Sequence, residues 1–241
     1  MRTKSFLELP QVEATFSKRS LGKVLVFVAG GRRPDKKWLS FLVRKGYPFW
    51  AVDRGLIYCL EAGITPTLYI GDKDSISEEE LTRAQKTMVE LVTYPTMKDL
   101  TDLQLALKEA SNRCENASIL LTGCWGGRFD HLYSIVHSAV WADEWGISTI
   151  AMADDKEILY FLKGKTSISL DFKKLPKNIS LLALSDHCIG VSIDNVVWPL
   201  QEYTLSQHHP FAVSNKLHPS SENQGINVSV QKGWLGVYLN F

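Results

Sequence analysis

An α/β protein is what this sequence predicts: a doubly wound, mostly parallel six-stranded sheet, followed by a smaller all-β, sandwich-like domain. Three observations carry the prediction. From residue 24 to about residue 152, short runs rich in Val, Ile and Leu alternate with segments of helical period, the pattern of strands buried on both faces and joined by crossover helices. Beyond about Asp155 the helical segments stop, and strand-like runs follow one another across turn residues such as Lys163-Gly164, Pro176-Lys177-Asn178 and Gln231-Lys232-Gly233. Finally, acid-rich and glycine-rich segments fall where strands of the first set end, and in doubly wound sheets ligands bind beyond those carboxyl ends.

In order, the parallel strands are expected at residues 24–29, 49–52, 68–70, 91–94, 118–122 and 148–152, with helices over 35–45, 56–62, 78–88, 100–112 and 131–144. Leu100, Leu103, Leu107 and Ala110 illustrate the three-and-four spacing that puts apolar residues on one helix face. Ser77 and Glu80 form a capping-box pair for the third helix. The later strands are expected at 158–162, 167–172, 179–184, 190–193, 226–230 and 234–239. The polar stretch 199–225 has little periodicity and reads as a long loop. The division falls between residues 1–155 and 156–241.

Composition excludes several classes. Lys+Arg 27 against Asp+Glu 26 leaves a net charge of +1, without the basic excess of a dedicated nucleic-acid binder. Cys59, Cys114, Cys124 and Cys188 show no C-x-x-C spacing, so neither a zinc site nor a disulfide framework is expected. Residues 1–20 contain no long hydrophobic run, and no apolar span approaches membrane length. A soluble cytoplasmic protein, with no membrane or nucleic-acid partner, is the expectation.

Asp72 and Asp74 lie two apart after a strand, so in extended backbone both carboxylates project to one side, where a Mg²⁺ ion could be held at ~2.1 Å. Asp99 and Asp102 flank Leu100-Thr101 at a helix start, with helix capping by Asp99 as the alternative. Gly126-Gly127-Arg128, ahead of Asp130 and His131, offers backbone N–H groups, a helix N-terminus and a guanidinium to phosphate oxygens, but is neither a Walker A loop nor a dinucleotide fingerprint. Gly30-Gly31-Arg32-Arg33 is a second candidate phosphate or ribose contact, with a solvated loop as the alternative. Asp53 reads either as a metal or nucleotide contact or as a helix cap. His131 and His137, six apart, are not a metal pair and read as helix-packing residues. Together these residues suggest a site for a metal-bound polyphosphate.

With these motifs in order, the chain resembles thiamine pyrophosphokinases from about residue 24 to its C-terminus. The matching segments are Asp53-Arg54-Gly55, Pro66 to Ser75 with Gly71-Asp72-Lys73-Asp74-Ser75, Asp99 to Asp102, Gly123 to His131, and Ser214-Asn215. Trp198-Pro199-Leu200 also fits the family's β-domain pattern. The resemblance implies an ATP-binding catalytic domain, a thiamine-binding β-domain, and a homodimer with active sites between subunits, converting ATP and thiamine to thiamine diphosphate and AMP. It implies Mg²⁺ on Asp72, Asp74 and Asp99, catalytic roles for Asp74, Asp99, Asp102 and Arg128, and nucleotide contacts from Gly30, Asp53, Thr101, Gly126, Gly127, Arg128, Asp130 and His131. Ser214 and Asn215 are the implied thiamine contacts. Two departures stand out: Arg54 replaces a glycine, and Lys216-Leu217-His218 follows Ser214-Asn215 where some relatives carry a tryptophan that stacks on thiamine. Trp198 and Trp234 are candidate substitutes. Competing readings are a diphosphokinase for another acceptor, such as a hydroxymethylpterin, and a non-catalytic nucleotide sensor.

Overall fold

The computed structural model describes residues 5–17, 20–72, 76–77, 79–80, 82, 86, 89–219 and 225–241. The chain divides into two compact units, Gly22–Asp154 and a β-rich unit that joins the N-terminal strands to Asp155–Phe241.

In the first unit, β3 (Lys23–Val28), β4 (Phe49–Val52), β5 (Leu68–Gly71), β6 (Glu90–Thr93), β7 (Ala117–Thr122) and β8 (Ser148–Ala153) run in the order β8-β7-β3-β4-β5-β6, each neighbouring pair parallel. All residues of β4, β5 and β7 are buried, which explains their unbroken apolar sequences, since a strand covered on both faces has no solvent side to mark with polar residues. Phe27 and Trp50 stack across β3 and β4 with ring centroids 5.2 Å apart. The helices are α1 (Lys36–Arg44), α2 (Gly55–Glu61), α3 (Asp102–Arg113) and α4 (Phe129–Trp141), the last continued by a 3₁₀ turn over Ala142–Trp145. Helix α3 buries Leu103, Ala106, Leu107 and Ala110, the stripe its spacing dictates. The expected 78–88 helix falls largely outside the described residues, but its capping pair is formed: Ser77 N donates to Glu80 Oε2 at 2.9 Å and Glu80 N to Ser77 Oγ at 3.2 Å.

The β-rich unit differs from the compact run of strands expected after residue 155. It begins with β1 (Ser5–Glu8) and β2 (Val12–Ser17), which belong here and not to the unit of residues 22–154. Strand β2 pairs antiparallel with β10 (Thr166–Phe172), setting Phe16 opposite Ile168. A six-stranded antiparallel sheet follows the order β1-β2-β10-β14-β12-β13, with β12 at His187–Ile193, β13 at Leu200–Ser206 and β14 at Gly225–Val230. Of three further strands, β9 (Glu157–Lys163), β15 (Trp234–Asn240) and β11 (Asn178–Ala183), the central β15 pairs antiparallel with each of the other two. The architecture is therefore an α/β unit with parallel strands plus a β-rich unit, and the latter, with its own six-stranded antiparallel sheet, is more extensive than the small sandwich expected.

Strands β1, β2 and β13 went unrecognised in the sequence for physical reasons. In β2 the buried Val12, Ala14 and Phe16 alternate correctly, but Glu8 and Glu13 make the segment look polar; Lys173 neutralises both, at 2.5 and 2.8 Å. Strand β13 is an edge strand with mostly exposed residues, and Glu202 has a left-handed φ of 49° where its register with β12 is irregular, so its alternation is erased. No described helix is long and apolar enough to cross a membrane, and all four cysteines are free.

Phe16 is fully buried and meets Tyr160 of β9 edge-on at 6.1 Å. Phe16→Ala should therefore cost about 3–5 kcal/mol through the lost transfer energy and the cavity left behind, measured as a shift of the urea unfolding transition.

Candidate active site

Three carboxyl-end turns of the parallel sheet and the starts of two helices surround a cavity of about 630 Å³. Ala29, Gly30 and Gly31 follow β3, Val52 and Asp53 end β4, Cys124, Gly126, Gly127 and Arg128 follow β7, and α3 contributes Thr101, Asp102 and Leu103. Asp130, His131, Ser134 and Ile135 of α4 complete the wall.

The two glycine-containing loops are stitched together by backbone. Ala29 N donates to Thr122 O at 2.8 Å, Gly31 N to Gly123 O at 2.6 Å and Arg32 N to Trp125 O at 2.6 Å. A side chain on Gly31 would sit 2.8 Å from the carbonyl oxygens of both Gly123 and Trp125, so glycine is needed for this approach. Gly126 and Gly127 have φ of 72° and 73°, left-handed backbone that lets the chain turn from β7 into α4. Tyr58 donates its hydroxyl to Gly31 O at 2.8 Å. Arg32 and Arg33 take structural partners: Arg32 Nε and Nη2 both donate to the buried Asp154 Oδ2, at 2.9 and 2.7 Å, and Arg33 pairs with Glu61 at 2.8 Å while lying over the Tyr58 ring. Of this loop's candidate contacts, Gly30 and Gly31 line the cavity, while the two guanidinium groups are engaged with Asp154 and Glu61.

Arg128 precedes α4 and its side chain is 74% exposed. Its Nε donates to Asp130 Oδ1 at 3.1 Å, while Asp130 Oδ1 also accepts from His131 N at 3.0 Å. The hydrogen bond from Arg128 holds the Asp130 carboxyl below its ordinary range, and the same pair raises Arg128. An incoming phosphate would meet a guanidinium already oriented toward α4 by its acid partner. His131 is exposed at the cavity wall and so is not the helix-packing residue expected from the sequence, whereas His137, half-buried, packs 4.4 Å from the Tyr133 ring of the same helix.

The acids sort themselves clearly. Lys98 Nζ sits 3.0 Å from Asp72 Oδ2 and 3.1 Å from Asp102 Oδ1. Burial pushes the Asp102 carboxyl up, the Lys98 ammonium pulls it down, and the charges of Asp72 and Asp53 push it up again. Asp53, Asp72 and Asp102 therefore share one electrostatic environment. Asp53 has φ 53°, a left-handed conformation for a non-glycine residue, which costs on the order of 1 kcal/mol and places the residue at the cavity. The N-cap position of α2 is Arg54, one residue beyond Asp53, and Leu56 N donates to the Asp53 carbonyl at 3.1 Å. Asp99 is exposed and outside the cavity wall; the cap of α3 is Thr101, whose Oγ1 accepts from Gln104 N at 3.3 Å while Gln104 Oε1 accepts from Thr101 N at 3.0 Å. Asp74 and Ser75 lie outside the described residues. Among the described residues no group of three or more His, Cys, Asp or Glu side chains is close enough to form a metal cage.

Ser214 and Asn215 belong to the β-rich unit. Ser214 has φ 61° and donates its N–H to Ser180 Oγ at 3.0 Å. Asn215 is locked to Trp198: its Oδ1 accepts from Trp198 N at 3.2 Å and its Nδ2 donates to Trp198 O at 2.8 Å. Asn215 and Trp198, but not Ser214, line a mostly apolar cavity of about 400 Å³ with Ile179, Ile193, Leu200 and Phe211. Trp198 is 63% exposed, so much of its indole is open to a ligand, whereas Trp234 is covered by Lys163 at 5.7 Å.

Residues 40–150 match the family model described as thiamin pyrophosphokinase, catalytic domain, and residues 165–235 match thiamin pyrophosphokinase, vitamin B1 binding domain. This chain belongs to the thiamin pyrophosphokinase family. A thiamine pyrophosphokinase of Bacillus subtilis is 29% identical over 195 residues, covering 81% of this chain and 90% of that protein. The crystal structure of the B. subtilis thiamine pyrophosphokinase superposes with a TM-score of 0.77 at 25% identity, over 90% of this chain and 99% of that one. The Candida albicans thiamin pyrophosphokinase, at 15% identity over 91% of this chain and 90% of that one, shares the fold with a TM-score of 0.71.

The raised Asp102 carboxyl carries a signed consequence. A group whose folded value exceeds its unfolded one favours folding when protonated; that contribution is complete below the ordinary carboxylate range and is lost as pH rises through the folded value. Asp102→Asn should therefore raise the Tm at pH 7 more than at acid pH, while lowering kcat by about 10²-fold or more. Asp99→Asn should leave kcat within a factor of about two and the Tm essentially unchanged, as is usual for exposed positions. Melting curves at two pH values and steady-state rates check the pair.

Proposed function

We propose that the chain carries the activity of its family: transfer of the diphosphate of ATP to the hydroxyl of thiamine, giving thiamine diphosphate and AMP. The observation that carries the reading is the pairing of a glycine-lined, acid-bearing cavity at the sheet's carboxyl ends with a separate apolar cavity bearing Asn215 and Trp198. The first suits a polyphosphate and the second a flat heterocycle.

In this reading the Gly30-Gly31 and Gly126-Gly127 loops and the start of α4 receive phosphate oxygens on backbone N–H groups, and Arg128 offsets the charge that develops as AMP leaves. The oxygen donors suit a hard divalent cation, and Asp102 Oδ1 is a shielded oxygen whose neighbouring cation is the Lys98 ammonium at 3.1 Å. Mg²⁺ would be held by Asp72 and Asp74 with Asp53 and Asp102 beside them; when bound it neutralises phosphate charge. Of the two acids the sequence offers as proton acceptor, Asp102 borders the cavity and Asp99 does not. Thr101 positions Asp102 by capping α3, and His131 and Asp130 stand at the phosphate end of the wall. The thiamine hydroxyl attacks the β-phosphorus in line, so the catalytic burden is mainly positioning and charge neutralisation.

Trp198 supplies the aromatic platform in place of the tryptophan missing after Asn215; Asn215 holds its loop, and Ser214 is anchored to Ser180 beside it. The enzyme is proposed to act in the cytoplasm as a homodimer, each α/β cavity completed by the β-rich unit of a second copy.

Incubation with MgATP and thiamine should give AMP and thiamine diphosphate in equal amounts by mass spectrometry. Release of ADP, or turnover of a hydroxymethylpterin alone, would overturn the assignment. Trp198→Ala should raise KM for thiamine roughly 3- to 10-fold, the worth of an aromatic stack, with KM for ATP unchanged; equal effects on both would remove Trp198 from the thiamine site.

A further inference from the structure

The cation already seated among the acids is Lys98. Its side chain is only 14% exposed, and the carboxylates it bridges, Asp72 and Asp102, are 9% and 20% exposed. It donates a hydrogen bond to Asp72 Oδ2, whereas its approach to Asp102 Oδ1 is an ion pair without hydrogen-bond alignment. Asp53 adds a third negative charge to the same environment. Half-buried carboxylates this close repel unless a cation lies between them, and an ammonium can use only part of the lone-pair capacity two carboxylates offer.

We propose that Lys98 is a resident counter-ion: it holds the acid pair together in the ligand-free enzyme and is displaced from Asp72 when a divalent cation enters. The inference rests on the reading of this cluster as the cation site. Lys98 and the ion then compete for the same carboxylate oxygen, so the lysine weakens binding of the bare ion. Once displaced, its ammonium is released beside a cavity that receives polyphosphate, and a compact charge on a flexible stem can follow the anion. The free enzyme would thus take up the bare ion poorly and the nucleotide-bound ion well.

The test uses Mn²⁺ as the probe on the full-length, nucleotide-free protein, with free Mn²⁺ read by EPR. Lys98→Met should bind Mn²⁺ at least about tenfold more tightly than the wild type, the lower end of what one adjacent charge does to an ionic site. Without metal the variant should melt lower than wild type, and saturating Mn²⁺ should raise its Tm by more. Equal or weaker Mn²⁺ binding by the variant overturns the proposal while leaving the acid cluster as the cation site. If Asp72→Asn binds Mn²⁺ as well as the wild type does, the cluster reading fails and takes the proposal with it. Should Lys98→Met not fold by circular dichroism, Lys98→Gln carries the same comparison, since it also removes the charge.

Discussion

Bringing like charges together in partly dry ground is the constraint around which this molecule's α/β unit is arranged. Asp72 leaves the end of β5 and Asp102 opens α3, and their carboxylates come within reach of one ammonium from Lys98. Such an arrangement opposes folding, as the upward displacement of the Asp102 carboxyl records. It persists because the surroundings are rigid: the strands that carry it are buried on both faces, and Thr101 with Gln104 clamps the first turn of α3. Stability has been set aside locally to bring these acids together around one ammonium.

The glycine loops show the same logic in backbone form. Gly31 packs against the Gly123 and Trp125 carbonyls, and Gly55 stands where any side chain would strike the Val28 carbonyl. These close approaches let backbone from three crossover turns face one cavity, which loops carrying side chains could not do. Arg32 and Asp154 contribute by a different route: a guanidinium that looks available in sequence is engaged with a fully buried carboxylate, and so fixes the loop it belongs to. The family's glycine after Asp53 is here Arg54, which lies against Gly30; a side chain on Gly30 would sit 2.9 Å from Arg54 Cβ. The departure is tolerated because Gly30 leaves room for it.

In the β-rich unit the cavity is built from apolar area plus one amide. Asn215 closes two hydrogen bonds with the Trp198 backbone, linking the turn at Ser214 to the loop that presents the indole. Two segments seventeen residues apart thereby become one wall. The kinship to thiamin pyrophosphokinases spans both units, in keeping with a reaction that needs an anion cradle and a heterocycle pocket on one polypeptide.

The sequence by itself determined the six parallel strands, the α3 stripe, the order of the motifs and the family, because buried strands, helical period and turn glycines are local properties written in neighbouring residues. It also named Asp53, Gly126, Gly127, Arg128 and His131, all of which border the cavity. Tertiary structure alone decided which member of a pair faces inward. Asp99 and Asp102 are equivalent as text, yet the Thr101 cap turns one into the cavity and leaves the other in solvent. Lys98 carried no signal, because its role exists only where two distant acids converge. The partners of Arg32, the membership of β1 and β2, and the meeting of Trp198 with Asn215 were settled in the same way: each depends on contacts between residues far apart along the chain, and chain-distant contacts leave no periodicity to read.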